Sequence, residues 1–323
     1  MEYRNLGASG LKVSALGLGA NSFGGRADRK TSIDIIHAAL ENGVTLIDTA
    51  NGYTGGMSEE IIGEALKGRR YDAVLTTKAG LPQGEGPYHR GTSRRHLTMQ
   101  LEQSLKRLKT DHIDLFYVHT FDPDTPQEET MRTLDNFVRQ GRVLYVAASN
   151  YRPHELATAL GIASQHDWVP FCGVQPSYSL LDRTPERELI PLAQAEGVGL
   201  VAYYPLAGGV LTGKYRRGQI PEGSRADKNP GFMARVSQQV REAGDKFSEI
   251  AQSAGLDPAG LALAWLMGRP TVASAIVGAT RVNQLLGNLK ALDMVIPAEV
   301  AVALEEFSAP FIDGEPFGWY RLN

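Results

Sequence analysis

The chain has 323 residues, with 33 Lys and Arg against 36 Asp and Glu and a formal charge of −3. No long run of one sign occurs, which argues against nucleic acid or an anionic membrane surface as a partner. The one cysteine, Cys172, lies in the largely apolar run 169–174 and forms no intrachain disulfide; Met1 to Leu6 hold no apolar leader, no apolar stretch is long enough to span a bilayer, and a reduced, cytoplasmic protein is expected.

In chain order, the first element is a small hairpin, Glu2-Tyr3-Arg4 and Leu11-Lys12-Val13 about Gly7-Ala8-Ser9-Gly10, placed to plug a barrel floor. Strand-like apolar runs then recur near 15–19, 44–48, 72–78, 113–119, 143–149, 169–174, 198–203 and 272–277. Helical segments lie between them, and several starts carry a physical signature. Ser58 followed by Glu59 and Glu60 puts negative charge at the positive end of a helix. Thr125-Pro126-Gln127-Glu128 reads as a capping box with proline at the first helical position, and Asp257-Pro258 is a similar start. Eight strand and helix repeats with right-handed crossovers predict an α/β fold, a closed (β/α)8 barrel of the TIM type forming one domain over 1–323, with extra helices at its C-terminal end. The irregular segment Leu206 to Phe232 exceeds ordinary loop length and is expected to act as a lid.

Four polar residues fall at or just beyond the ends of early strand runs: Asp48, Tyr53, Lys78 and His119. In a parallel barrel those ends open on one face, the face that carries chemistry. A tyrosine hydroxyl is a weak acid, but a nearby ammonium such as Lys78 stabilises the phenolate and eases the release of its proton. Asp48 would keep the lysine charged and fixed, and a neutral His119 would hydrogen-bond the oxygen of a bound carbonyl. The set is a proton donor aimed at a carbonyl, and it needs a hydride-donating cofactor.

At this point the chain resembles the aldo-keto reductase superfamily nearly end to end. The likeness rests on Tyr3-Arg4-Asn5-Leu6-Gly7, Leu16-Gly17-Leu18-Gly19, Asp48-Thr49-Ala50-Asn51-Gly52-Tyr53, Thr77-Lys78 and Asp114-Leu115-Phe116-Tyr117-Val118-His119. It continues through Ser149-Asn150-Tyr151, the run Tyr204 to Lys214, and Gly278-Ala279-Thr280-Arg281. The resemblance implies a catalytic tetrad of Asp48, Tyr53 as acid, Lys78 and His119, on a barrel that binds a nicotinamide cofactor without a Rossmann domain. It further implies that Ser149, Asn150 and Gln175 hold the carboxamide and that Tyr203 stacks on the ring. Pro205, Leu206 and Gly208 would line the cofactor, and Thr280, Arg281, Gln284 and Asn288 would grip its adenosine end. Arg281 is the natural partner of a ribose 2′-phosphate, which favours NADPH/NADP+. The chain departs from the family pattern at Thr54, Tyr204 and Gly287.

Each residue alone has a structural explanation: a turn-capping Asp48, a rim Lys78, an interior His119, a packed Tyr53. Their order inside extended motifs favours the joint functional reading. Gly17-x-Gly19 is no dinucleotide fingerprint, because Ser22 stands at the third glycine position and no helix starts before about Thr31. Gly208-Gly209 and Gly213-Lys214 lack P-loop spacing and are expected to shape the lid. His37, His89, His96, His112, His154 and His166 show no metal-binding spacing, so no metal site is expected. The reading is an NADPH-dependent reductase of an aldehyde or ketone, with a small-molecule carbonyl substrate and no nucleic-acid or membrane partner. Phe23, Phe121 and the tail aromatics Phe311, Phe317, Trp319 and Tyr320 are candidate apolar walls, although packing is the favoured role of the tail. Asn21, His89, Arg90 and Asp122 are candidate hydrogen-bonding groups for a hydroxylated substrate such as a sugar aldehyde. Two other functions compete: a Schiff-base aldolase using Lys78, and a cofactor-binding regulatory subunit with little turnover, as in potassium-channel beta subunits.

Overall fold

The computed structural model describes residues 1–229, 231–232, 236–314 and 322. Two short strands, β1 (Tyr3–Asn5) and β2 (Lys12–Ser14), pair antiparallel with Arg4 opposite Val13. Eight further strands close a barrel: β3 (Leu16–Gly19), β4 (Leu46–Asp48), β5 (Val74–Ala79), β6 (Ile113–Val118), β7 (Val143–Ser149), β8 (Gly173–Gln175), β9 (Gly199–Ala202) and β10 (Val272–Gly278). Their order is β10-β3-β4-β5-β6-β7-β8-β9 and every pairing is parallel. The (β/α)8 architecture, the hairpin and the extra C-terminal helix Ala298–Ser308 are therefore as the sequence predicts.

The hairpin closes the N-terminal end of the barrel. Leu6 and Val13 join Leu46, Leu115, Tyr117, Ala147 and Val201 in a buried cluster inside the lumen. Arg4 Nη1 donates to the carbonyls of Met267 and Val272 at 2.6 and 2.9 Å, tying the plug to β10. Gly7, at φ 59°, passes so close to the backbone of Gly197 and Gly199 that a Cβ has no room, and Ala8 N donates to Gly197 O at 2.7 Å.

Strand register decides which side chains enter the lumen, because alternate residues point to opposite faces. Asp48 pairs with Thr76, Lys78 with Tyr117, Tyr117 with Ala147 and Ser149 with Gln175. The intervening Ile47 and Leu75 lie in the outer core, against the helices. Thr77 also faces outward: its hydroxyl donates to the fully buried Glu59 at 2.6 Å, and Arg107 Nε donates to the other Glu59 oxygen at 2.6 Å. This network fixes β5 against helices Met57–Ala65 and Arg94–Leu108.

Several local expectations need correction. The strand expected at 169–174 is only Gly173–Gln175. Thr125 does not cap helix Gln127–Arg139; its hydroxyl donates to Asp122 Oδ2 at 2.7 Å, and Pro126 holds the cap position without a side-chain bond. Ser58 lies inside helix Met57–Ala65, donating to Ala20 O at 2.9 Å, although Glu59 and Glu60 do occupy the first turn. Asp257 caps helix Pro258–Met267 as expected, accepting from Gly260 N at 2.7 Å. Among the described residues no helix is long and apolar enough to cross a membrane.

Candidate active site

The C-terminal strand ends bring Asp48, Lys78 and His119 together, and the turn Ala50–Tyr53 adds the phenol. Lys78 is fully enclosed and donates to Asp48 Oδ2 at 2.6 Å and to Thr49 O at 2.8 Å. The second Asp48 oxygen accepts from Thr76 Oγ1 at 2.9 Å and Gln175 Nε2 at 3.0 Å. The carboxylate is therefore held from β5, β8 and its own strand at once. Burial pulls the Lys78 pKa below its ordinary value, and the adjacent Asp48 carboxylate opposes that shift. The Lys78 nitrogen lies 5.4 Å from the centre of the Tyr53 ring. Tyr53 and His119 meet edge to face, 6.0 Å apart at 73°.

Among the described residues the buried Nδ1 of His119 has no hydrogen-bond partner. Burial, and then the Lys78 charge, push this histidine well below its usual value, so the ring is neutral. A neutral imidazole donates from one nitrogen only, which suits it to a carbonyl oxygen rather than to an anion.

From the tetrad a cleft runs outward along Ser149, Asn150, Gln175, Tyr203, Tyr204, Pro205, Leu206, Gly208, Thr280, Arg281 and Gln284. Asn150 adopts φ 57°. Its amide reaches back to His119 O at 2.9 Å, and its oxygen accepts from Tyr203 at 2.7 Å. Ser149 donates to Gln175 O at 3.0 Å. At the far end Gln284 Oε1 accepts from Thr280 N at 3.0 Å, and Arg281 stands exposed at the start of helix Val282–Leu289. Asn288 does not line the cleft with the others. It is buried in that helix, and among the described residues its Nδ2 has no hydrogen-bond partner.

Two loops add cations to which the sequence reading gave no cofactor contact. Arg26, from the loop after β3, and Lys214 and Arg225, from the segment after β9, line the same cleft as Arg281. Among the described residues none of the four has a carboxylate within ion-pair distance. Lys214 is held below its ordinary value by burial and then by Arg26, Arg225 and Arg281. Four cations repelling one another without a counter-ion are suited to a polyanion.

The segment around them is structured. It forms 3-10 turns at Ala207–Thr212 and Arg216–Gly218 and a short helix at Arg225–Lys228. Tyr204 and Ala207 take left-handed backbones, at φ 55° and 47°, followed by Gly208 at 66°. A Cβ on Gly208 would collide with the Phe232 ring. Arg225 stacks on Tyr204 and Phe232, at 5.3 and 4.7 Å, and binds the Tyr204 hydroxyl at 3.2 Å. Backbone strain of this kind persists where surrounding contacts over-determine it, and it clusters at ligand clamps.

The proposed substrate walls fare less well. Phe23 is fully buried, and Asp122 is engaged by Thr92 N, Asp124 N and Thr125 Oγ1, so neither faces a ligand. Asn21 does line the cleft, while His89 and Arg90 are exposed. Phe311 is packed against Phe307, and Phe317, Trp319 and Tyr320 lie outside the described residues.

Comparison with known proteins meets this geometry. The sequence model of the Aldo/keto reductase family matches residues 15–309. The chain belongs to the aldo/keto reductase family. It is 39% identical to a "probable voltage-gated potassium channel subunit beta" of Oryza sativa subsp. japonica, over 91% of this chain and 92% of that protein. It is 38% identical to an uncharacterized oxidoreductase, YrpG, of Bacillus subtilis (strain 168), over 95% of each. An L-glyceraldehyde 3-phosphate reductase of Escherichia coli (strain K12) is 37% identical, over 91% of this chain and 88% of that enzyme. Members of this family are oxidoreductases that generally use NAD(P)H.

Proposed function

We propose that the chain is an NADPH-dependent reductase that converts an aldehyde or ketone, a sugar aldehyde among them, to the alcohol, with Tyr53 as proton donor. The observation that carries this reading is the pairing of two unlike ends in one cleft. At one end a buried Lys78, paired with Asp48, lies beneath a tyrosine, and a neutral histidine lines the cleft beside it. At the other, four cations await anionic groups. A diphosphate with an added 2′-phosphate matches that charge, and Arg281, Lys214, Arg225 and Arg26 would hold it, with Arg281 at the helix N-terminus. Ser149, Asn150 and Gln175 would hold the carboxamide, and Tyr203 would flank the ring.

A reduced nicotinamide held there would supply hydride for the carbonyl carbon. The protein's part is to orient the carbonyl and move one proton. His119 donates a hydrogen bond to the carbonyl oxygen and draws it toward Tyr53. As negative charge grows on that oxygen, the Tyr53 hydroxyl releases its proton to it. The resulting phenolate is stabilised by Lys78, whose own charge is held by Asp48.

The enclosed, doubly bonded Lys78 nitrogen disfavours a Schiff base, which requires a neutral amine open to substrate. The regulatory reading retains one specific support, the likeness to proteins named as potassium channel beta subunits. Both readings are separated by NADPH oxidation with a panel of aldehydes, ketones and sugars that includes glyceraldehyde and its 3-phosphate. Multiple turnover on any of them supports the reductase. Tight NADPH binding with no turnover on the whole panel refutes it.

A further inference from the structure

One large lumen residue beneath the tetrad takes no part in the proton transfer. Tyr117 on β6 is fully buried, and its hydroxyl is turned toward the Gln175 side chain. Its Cα is paired with that of Lys78 on one side and Ala147 on the other, and Ala147 is paired in turn with Gly173. The Leu6 side chain takes the space beside Gly173, and the Tyr117 ring lies in the lumen cluster with Leu6, Leu46 and Ala147.

The Lys78 nitrogen lies 5.4 Å from the Tyr117 ring centre, the same distance as from Tyr53. Two of its three hydrogens go to Asp48 and the Thr49 carbonyl, which leaves one for the aromatic side. Burial favours loss of the lysine proton, and a ring face offsets that cost through its negative quadrupole. Burial, and then the Asp48 charge, push the Tyr117 phenol far above its ordinary value, so it neither neutralises Lys78 nor competes with Tyr53 as donor.

We propose that Tyr117 is a positioning residue, whose ring floors the tetrad and holds the Lys78 ammonium charged and centred beneath Tyr53. Its kinetic consequence rests on the reductase reading, whereas the ring–ammonium contact does not.

Tyr117→Leu removes the ring and Tyr117→Phe keeps it. A desolvated cation–π contact corresponds to a kcat loss of about 10- to 30-fold in the leucine variant. The dissociation constant for NADPH should stay within about twofold, since no binding group is removed. The phenylalanine variant should recover most of the rate. Equal losses in both variants, or a parallel loss of NADPH binding, would overturn the proposal. A second measurement needs no turnover: the unfolding equilibrium constant of Tyr117→Leu, Lys78→Met and the double variant. The cost of losing the ring should be about 10-fold smaller once Lys78 is methionine. Additive costs would overturn the contact. Coupled costs in a wild type that reduces no carbonyl would keep the contact and overturn the reductase reading instead.

Discussion

His119 should behave as a neutral group across the working pH range, and the consequence is measurable without any substrate. Its folded-state value is depressed well below 6.5 by burial first and the Lys78 charge second. In the unfolded chain the same ring protonates near 6.5. The unfolded state therefore binds the additional proton on acidification, and the stability held above pH 6.5 is lost as pH falls toward the depressed native value. For a ring that stays neutral when folded, RT ln(1 + 10) gives a loss of about 1.4 kcal/mol at pH 5.5, and the loss is nearly zero at pH 7.5. His119→Gln does not titrate. The unfolding free energy of wild type, minus that of the variant, should thus fall by about 1.4 kcal/mol between those pH values in urea titrations at fixed ionic strength. The other histidines cancel in the difference. Parallel curves would mean that the folded ring takes up its proton like the unfolded one, and the neutral hydrogen-bond donor would be lost from the mechanism.

Tyr53→Phe should lower single-turnover carbonyl reduction by about 100- to 10,000-fold while NADPH binding, read by fluorescence titration, barely changes; a variant keeping more than about half the rate would eliminate Tyr53 as the acid. Arg281→Ala should weaken NADPH by about 10- to 150-fold, the equivalent of one charge-assisted hydrogen bond, and leave NADH almost unaffected. Equal losses for both cofactors would place Arg281 on their shared part. Lys214→Met should raise the melting temperature of the cofactor-free protein, because it relieves repulsion and an unfavourable burial, and at the same time weaken NADPH. A lower melting temperature would show that Lys214 is structural. Hydrogen exchange over Ala207–Thr212 should slow at saturating NADPH, and unchanged exchange would count against a lid.

The parts of the site legible in the sequence are those set by strand periodicity. Asp48, Lys78 and His119 each end or follow an apolar run, so parallel strands were sufficient to bring them to one face. Tyr117 was hidden by the same rule. Within Ile113–Val118 it reads as one more buried strand residue, and only its register with Lys78 and the small Ala147 shows that it sits under the ammonium. Arg26 and Arg225 left no periodic trace, because loops 199 positions apart in sequence bring them to one cleft. Side-chain competition explains the local miss at Thr125: its hydroxyl could cap a helix, but Asp122 offered it a partner. The apolar run 169–172 failed as a strand because apolar character marks burial without specifying the pairing that makes a ladder.

The two ends of the cleft differ in how tightly the fold constrains them. The tetrad's charges are balanced within a few ångströms, Lys78 against Asp48, and both partners are fixed by strands and enclosed. Removing either strands a buried charge, which costs about 3–5 kcal/mol, so this end is poorly tolerant of change. The cationic end is the reverse. No carboxylate balances its charges, and the Lys214 ammonium is disfavoured by burial and then by Arg26, Arg225 and Arg281, so replacing that lysine should stabilise the cofactor-free protein. Stability measured on the cofactor-free chain should therefore sort these residues by role before any substrate is known: Lys78 and Asp48 of the lumen should destabilise when removed, whereas Lys214 should do the opposite. If Lys214 destabilised on replacement by methionine as strongly as Lys78, it would be part of the scaffold, and the charge argument for a polyanionic cofactor would fail.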